Sequence, residues 1–262
     1  MQRLTRFERL LIGAESRFLA RHMFSREHRL IIGFSPKAAC TVGAKMFFNH
    51  IGRLDEALAF DPWIHNYREE YLKTHVVYPR WHWNKRYLKI KLVRNPYTRV
   101  ISGYTHAMIH PYMDEQLTTF FGIKDRRELS FSRFLEFLEA RINGPINPHN
   151  GLQVFKEELH QYPYDHVLKI EELEAGLADI RARRGVDLKV DERILNSGHH
   201  LPKYESRLER CSEVPFSSLA KRKDGRISVP PHAAFYDPVT LARVSKLFEP
   251  DISTYGYQFE PG

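Results

Sequence analysis

The stretch Leu30-Ile31-Ile32-Gly33-Phe34-Ser35-Pro36-Lys37-Ala38-Ala39-Cys40-Thr41 decides how this chain folds. Residues 29–35 are an apolar, β-branched run that stops at Ser35-Pro36, so they read as a buried strand. Residues 41–51 read as a helix, because Val42, Met46 and Phe47 share a face and Gly52 ends it. A strand that turns this sharply into a helix leaves backbone N–H groups aimed at the turn, and the helix N-terminus favours negative charge. The small residues of Pro36-Lys37-Ala38-Ala39-Cys40-Thr41 let a ligand approach the backbone, Lys37 supplies a mobile ammonium, and Thr41 offers a hydroxyl and its own N–H. This is not a Walker A loop, which needs Gly-Lys-Ser/Thr: no glycine stands directly before Lys37 and no hydroxyl residue directly after it. The alternative is an ordinary strand–helix turn with a surface lysine.

A second stretch repeats the layout. Leu88, Ile90 and Leu92 alternate with Lys89 and Lys91, then Val93-Arg94-Asn95-Pro96-Tyr97-Thr98-Arg99-Val100-Ile101-Ser102 turns into a helix with Pro96 in its first turn. Arg94 closes the strand, at the carboxyl edge where α/β proteins bind ligands, and its planar fork suits a phosphate. Ser102 adds a hydroxyl two turns on. Arg99 lies between them and reads as a structural side chain. A surface arginine and a helix serine are the alternative, but two such segments in one chain point to a ligand with two separate phosphates.

Around these turns, residues 70–77 read as a short strand ending near His75, residues 130–141 as a helix capped by Ser130, residues 151–161 as helical, Asp165 to Ile170 as a strand, and Glu171 to Arg183 as a helix. A last helix runs from Pro238 to Phe248. Strands alternating with helices imply an α/β fold with a central, mostly parallel sheet flanked by helices. No linker or repeat divides the chain, so residues 1–262 read as one domain. It opens with an N-terminal helix over 1–27 (amphipathic over 3–23) and carries a lid or substrate loop over 196–235, where periodicity is lost.

With 262 residues, 42% hydrophobic, the chain can bury a core of its own. Its formal net charge of +8 favours anionic ligands. The two cysteines, Cys40 and Cys211, form no zinc spacing, and together with the absence of a secretory pattern they fit a reducing, cytoplasmic setting. No apolar run reaches the ~20 residues of a membrane span. A cysteine phosphatase would need an arginine six positions after Cys40, where Met46 stands, so Cys40 reads as packing. The adjacent pair His199-His200 diverges, and no metal site is expected.

The two turns together resemble the phosphate-binding elements of sulfotransferases that use 3′-phosphoadenosine 5′-phosphosulfate (PAPS). Pro36, Lys37, Ala38, Ala39, Cys40 and Thr41 look like their 5′-phosphosulfate loop, and Arg94 with Ser102 look like their 3′-phosphate element. Softer likeness to the carbohydrate-type members runs through Asn147-Pro148-His149 with Gln153, through Tyr164-Asp165-His166-Val167-Leu168-Lys169-Ile170-Glu171, and through Tyr236-Asp237-Pro238 and Asp251 to Tyr255-Gly256-Tyr257. Lys73-Thr74-His75 is similar to the Lys-Thr-His of cytosolic sulfotransferases. The resemblance implies a P-loop-like fold, PAPS as co-substrate with 3′,5′-bisphosphoadenosine as product, no metal, and an acceptor hydroxyl on a carbohydrate or glycolipid. It implies Lys37 at the leaving phosphate, His75 as base and Lys73 as its helper; His149 is the second candidate for base or acceptor contact. The basic run Lys221-Arg222-Lys223-Asp224-Gly225-Arg226 matches the family only loosely and reads as a solvated loop. The acceptor pocket is expected in residues 110–128 and 196–235.

Two other classes compete. A P-loop kinase acting on a small molecule shares the strand–turn–helix but lacks Gly-Lys-Ser/Thr and an evident magnesium carboxylate. A non-catalytic anion or nucleic-acid binding module would use the positive charge, yet Lys and Arg are spread along the chain without interleaved aromatics, which argues against nucleic acid as a partner. Oligomeric state is not legible.

Overall fold

The computed structural model describes residues 22–75, 85–144, 146–154, 164–195, 210–223 and 226–260. In chain order, the first half carries β1 (His22–Ser25), β2 (Leu30–Phe34), α1 (Cys40–His50), α2 (Leu54–Phe60), α3 (Ile64–Thr74), β3 (Leu88–Val93), α4 (Pro96–Ile109), α5 (Asp114–Phe121) and α6 (Phe131–Arg141). The second half carries β4 (His166–Lys169), α7 (Leu173–Arg184), α8 (Glu192–Leu195), α9 (Phe216–Leu219), β5 (Lys221–Lys223), β6 (Arg226–Ser228), α10 (Pro238–Leu247) and α11 (Glu249–Tyr255). These gather into two compact units, each built from separated stretches: 1–93 with 155–197, and 94–154 with 198–262. The sequence reads as one domain because the units interleave and no linker marks a boundary.

The first unit is built on a sheet of order β1-β2-β3-β4. β2, β3 and β4 run parallel, with Leu30 opposite Leu88 and Ile90 opposite His166, and β1 is an antiparallel edge. One sheet face carries Met23, Leu30, Ile32, Phe34, Ile90, Leu92 and Leu168 into a core shared with Phe47 and Phe48 of α1 and Tyr67 and Tyr71 of α3. Gly43 makes that contact close: a Cβ there would lie 2.6 Å from Leu92 and 2.8 Å from Phe34. Lys89 and Lys91 do not form a solvated stripe. Lys89 pairs with Asp165 at 3.3 Å, and Lys91 is fully buried with its ammonium 5.4 Å from the Tyr164 ring centroid.

The second unit packs α4, α6 and α10 around Tyr104, Phe131, Phe134, Phe235 and Phe248. Here α4 begins as its sequence dictates, with Asn95 accepting from the Tyr97 N–H and Pro96 in the first turn. Ser130 caps α6, and Asp237 caps α10 through a reciprocal box with Thr240.

Several expectations are corrected. The N-terminal helix placed over 1–27 does not extend through 22–25, which pair as β1, while residues 1–21 lie outside the described residues. The strand placed over 70–77 is the end of α3 as far as Thr74, because Ile64, Tyr67 and Tyr71 recur at helical spacing and all three are buried. Residues 151–154 form no helix, and 155–161 lie outside the described residues. The loop expected over 196–235 contains α9 and the β5–β6 hairpin, with Cys211, Phe216, Leu219, Val229 and Phe235 in the core of the second unit. Of the basic run at 221–226, Lys221–Lys223 forms β5 and Arg226 opens β6, while 224–225 lie outside the described residues.

Candidate active site

The turn from Pro36 to Thr41, expected to take the 5′-phosphosulfate, leaves the carboxyl end of β2. Lys37 and Ala39 both hold positive φ, 64° and 56°, which costs a non-glycine residue on the order of 1 kcal/mol or more and concentrates at ligand sites. Ala39 is the N-cap of α1 and has no side chain that could cap it, so the first-turn amides keep their donors for something else. The Ser35 hydroxyl, buried at the start of the turn, has no hydrogen-bond partner among the described residues. Backbone donors, an orphan hydroxyl and a half-buried lysine in one turn fit an anionic group such as a phosphosulfate.

Two side chains of α3 complete this turn, and the sequence did not announce either. The His65 Nε2 lies 3.2 Å from Thr41 Oγ1 and 3.6 Å from Cys40 Sγ. Arg68 donates to His65 Nδ1 over 3.4 Å, and its guanidinium lies 5.5 Å from the Phe34 ring centroid. Burial pushes the Arg68 pKa down, with Cys40 opposing, so this cation gains from an anion nearby.

His75 and Lys73 are not brought to the turn. His75 caps the far end of α3, its ring stacked 3.8 Å from that of Tyr71 and its Nδ1–H donating to the Tyr71 carbonyl at 3.0 Å. It lines a small polar depression with Ser25, Arg26, His28 and Arg53. Ser25 pairs with Leu30, the first residue of β2, whereas the phosphate turn follows the last residue, Phe34. The length of β2, on the order of 15 Å, therefore separates His75 from the turn. Lys73 is exposed and ion-paired with Glu70.

The stretch from Arg94 to Ser102, expected to take the 3′-phosphate, lies in the second unit. The Arg94 backbone is held on both sides by one amide: its N–H donates to Gln153 Oε1 at 2.9 Å, and the Gln153 Nε2 donates to its carbonyl at 2.8 Å. Gln153 is in turn fixed by Asp251, whose fully buried carboxylate accepts from the backbone N–H groups of Gln153 and Val154 at 2.8 Å. Arg94 Nε donates to Thr98 Oγ1 at 3.2 Å. Thr98 and Ser102 are four apart on α4, so the guanidinium is drawn to the face on which the Ser102 hydroxyl lies, about 6 Å further along.

His106 continues that i, i+4 stripe. Its ring lies 5.0 Å from that of His149, nearly parallel, and Tyr112 is 5.2 Å from His149. The Asn147 Oδ1 accepts from both the His149 backbone N–H at 3.0 Å and the ring Nδ1 at 2.8 Å. Because the backbone group can only donate, Oδ1 is the acceptor, Nδ1 carries the proton, and Nε2 holds the lone pair. Arg99, fully buried, donates to the Gly151 carbonyl at 2.7 Å and holds this turn in place. Gly103 lets the turn approach α4, since a Cβ there would lie 2.5 Å from Asn150 Oδ1. Among the described residues no group of His, Cys, Asp and Glu is arranged to hold a metal.

A parallel sheet whose strand–turn–helix presents an uncapped amide turn is a P-loop-like nucleotide-binding arrangement. The chain belongs to the sulfotransferase family, whose model matches residues 21–258 and so covers both units. No curated protein and no solved structure matches the chain. It is therefore an enzyme of sulfuryl transfer, with PAPS as the donor that the family implies. Among the described residues no helix is long and apolar enough to cross a membrane.

Proposed function

We propose that the enzyme transfers the sulfuryl group of PAPS to a hydroxyl of a carbohydrate or glycolipid. The observation that carries the donor assignment is the uncapped turn with its orphaned Ser35 hydroxyl, backed by Arg94 and Ser102 on a separate phosphate-shaped element. In this reading the turn from Pro36 to Thr41 takes the 5′-phosphosulfate, and Arg94 with Ser102 takes the 3′-phosphate. The acceptor oxygen forms a bond to sulfur as the bond from sulfur to the 5′-phosphate oxygen breaks. The Lys37 ammonium neutralises charge growing on the departing phosphate, a task that needs no metal. The acceptor proton goes to His149, whose ring tautomer the Asn147 contact sets. His149 takes this role in preference to His75 because His75 is engaged by Tyr71 at the opposite end of β2. The carbohydrate class is supported by Gln153 and Asp251, residues of the carbohydrate-type likeness, which brace Arg94.

A thermal-shift titration tests the donor. 3′,5′-Bisphosphoadenosine should raise the melting temperature well above the shifts given by AMP or ATP; equal shifts, or none, overturn the assignment. Transfer of labelled sulfate from PAPS to a panel of saccharides and phenols tests the acceptor. Labelling of phenols alone would remove the carbohydrate class.

A further inference from the structure

The α3 residues His65 and Arg68 have no role in the reading above, yet they face the residues of the turn assigned to the 5′-phosphosulfate. Arginine can only donate, so the 3.4 Å contact from Arg68 makes His65 Nδ1 an acceptor. The neutral ring then carries its proton on Nε2, which points at Thr41 Oγ1 over 3.2 Å, with Cys40 Sγ beside it at 3.6 Å. The Thr41 oxygen therefore receives a hydrogen bond from His65. Its own proton has no acceptor among the described residues and is left to donate outward. Thr41 stands in the first turn of α1, beside amides that no side chain caps. The ring is set up as a donor to Thr41.

We propose that Arg68 and His65 form a relay that aims the Thr41 hydroxyl proton at the 5′-phosphosulfate of PAPS, which makes both of them positioning residues of the transfer site. The proposal rests on the assignment of the Pro36–Thr41 turn to that group. Arg68, seated against Phe34, has two functions: it selects the His65 tautomer, and it adds fixed positive charge behind the turn.

Calorimetric titration of the full chain with bisphosphoadenosine and with adenosine 3′-phosphate, which lacks the 5′ group, tests the relay. His65→Ala should weaken bisphosphoadenosine about tenfold while changing adenosine 3′-phosphate less than about twofold. His65→Gln, whose amide N–H can replace the Nε2 donor, should recover most of the loss and keep the acidic limb of the kcat/KM pH profile. Thr41→Val should reproduce the selective loss, and adding His65→Ala to it should cost nothing more. Equal losses for both nucleotides would reduce His65 to packing, and a glutamine variant as weak as alanine would remove the donor role. Loss of the acidic limb in His65→Gln would make the histidine a base and overturn the relay. A wild-type chain that does not distinguish bisphosphoadenosine from adenosine 3′-phosphate would instead overturn the assignment of the turn itself, before any substitution is made.

Discussion

At the scale of single residues, the two histidines nominated for proton transfer differ in what holds them. His149 has its Nδ1–H satisfied by Asn147 and its turn clamped by Arg99. His149→Ala should keep bisphosphoadenosine affinity within about threefold and lower turnover by ~10² or more, the usual worth of a general base. His75 is stacked on Tyr71 beside the β1–β2 turn, so His75→Ala should leave turnover within about twofold. Steady-state rates with saturating PAPS decide between them: a large loss from His75→Ala with none from His149→Ala would reverse the assignment. Arg94 makes a different prediction. Its side chain is held to the α4 face by Thr98, so Arg94→Ala should weaken bisphosphoadenosine at least tenfold and adenosine 5′-phosphate hardly at all. Equal losses would remove Arg94 from the 3′-phosphate.

At the scale of elements, the capped start of α10 offers a pH test. Burial raises the pKa of Asp237, but hydrogen bonds from Ser212 and Thr240 outweigh it and hold the carboxyl below its ordinary value. A carboxyl depressed in the folded state adds stability above its unfolded value of about 3.9, and that stability is lost as pH falls through the folded value. Asp237→Ala should therefore cost about 1 kcal/mol at pH 7, with the gap from the parent protein narrowing below about pH 4 in urea titrations. A gap that stays constant with pH would mean that packing, not the charged cap, carries the effect. The elements also show what the sequence could reveal. β2, β3 and their turns are legible because apolar runs ending at Ser-Pro and Arg-Asn-Pro are local signals. β1 was not legible: four residues at the end of an Arg-rich amphipathic stretch carry no period of their own. The end of α3 is masked in the sequence because Thr74 and His75 imitate a strand end, although Ile64, Tyr67 and Tyr71 carry its helical stripe. His65 and Arg68 fall outside any motif, and only the packing of α3 reveals their contact with the turn. Gln153 and Asp251, nearly a hundred residues apart, become partners only through tertiary folding.

At the scale of the whole molecule, the interleaving of the two units explains why a single family match runs from 21 to 258 across both. The chain passes between units after Val93, directly where the strand ends and the Arg94–Ser102 stretch begins. Neither unit is a continuous segment, so the proposed donor contacts depend on the intact chain. The molecule also carries a net charge of +8, spread rather than clustered, and this field acts on any anionic substrate in addition to the local contacts. Bisphosphoadenosine is multiply charged, whereas adenosine offers the same base and ribose without phosphates. The affinity ratio between them should fall several-fold as salt is raised from about 0.05 M to about 0.5 M, because the Debye length shortens from about 14 Å to about 4 Å and distant charges are screened. Hydrogen bonds from Thr41, Ser102 and the α1 amides are short-ranged and should survive that screening, so the ratio should level off above unity rather than vanish. A ratio that does not respond to salt would assign phosphate recognition to the local donors alone. A ratio that collapses to one would leave no role for the two turns and would return the chain to a non-specific anion binder.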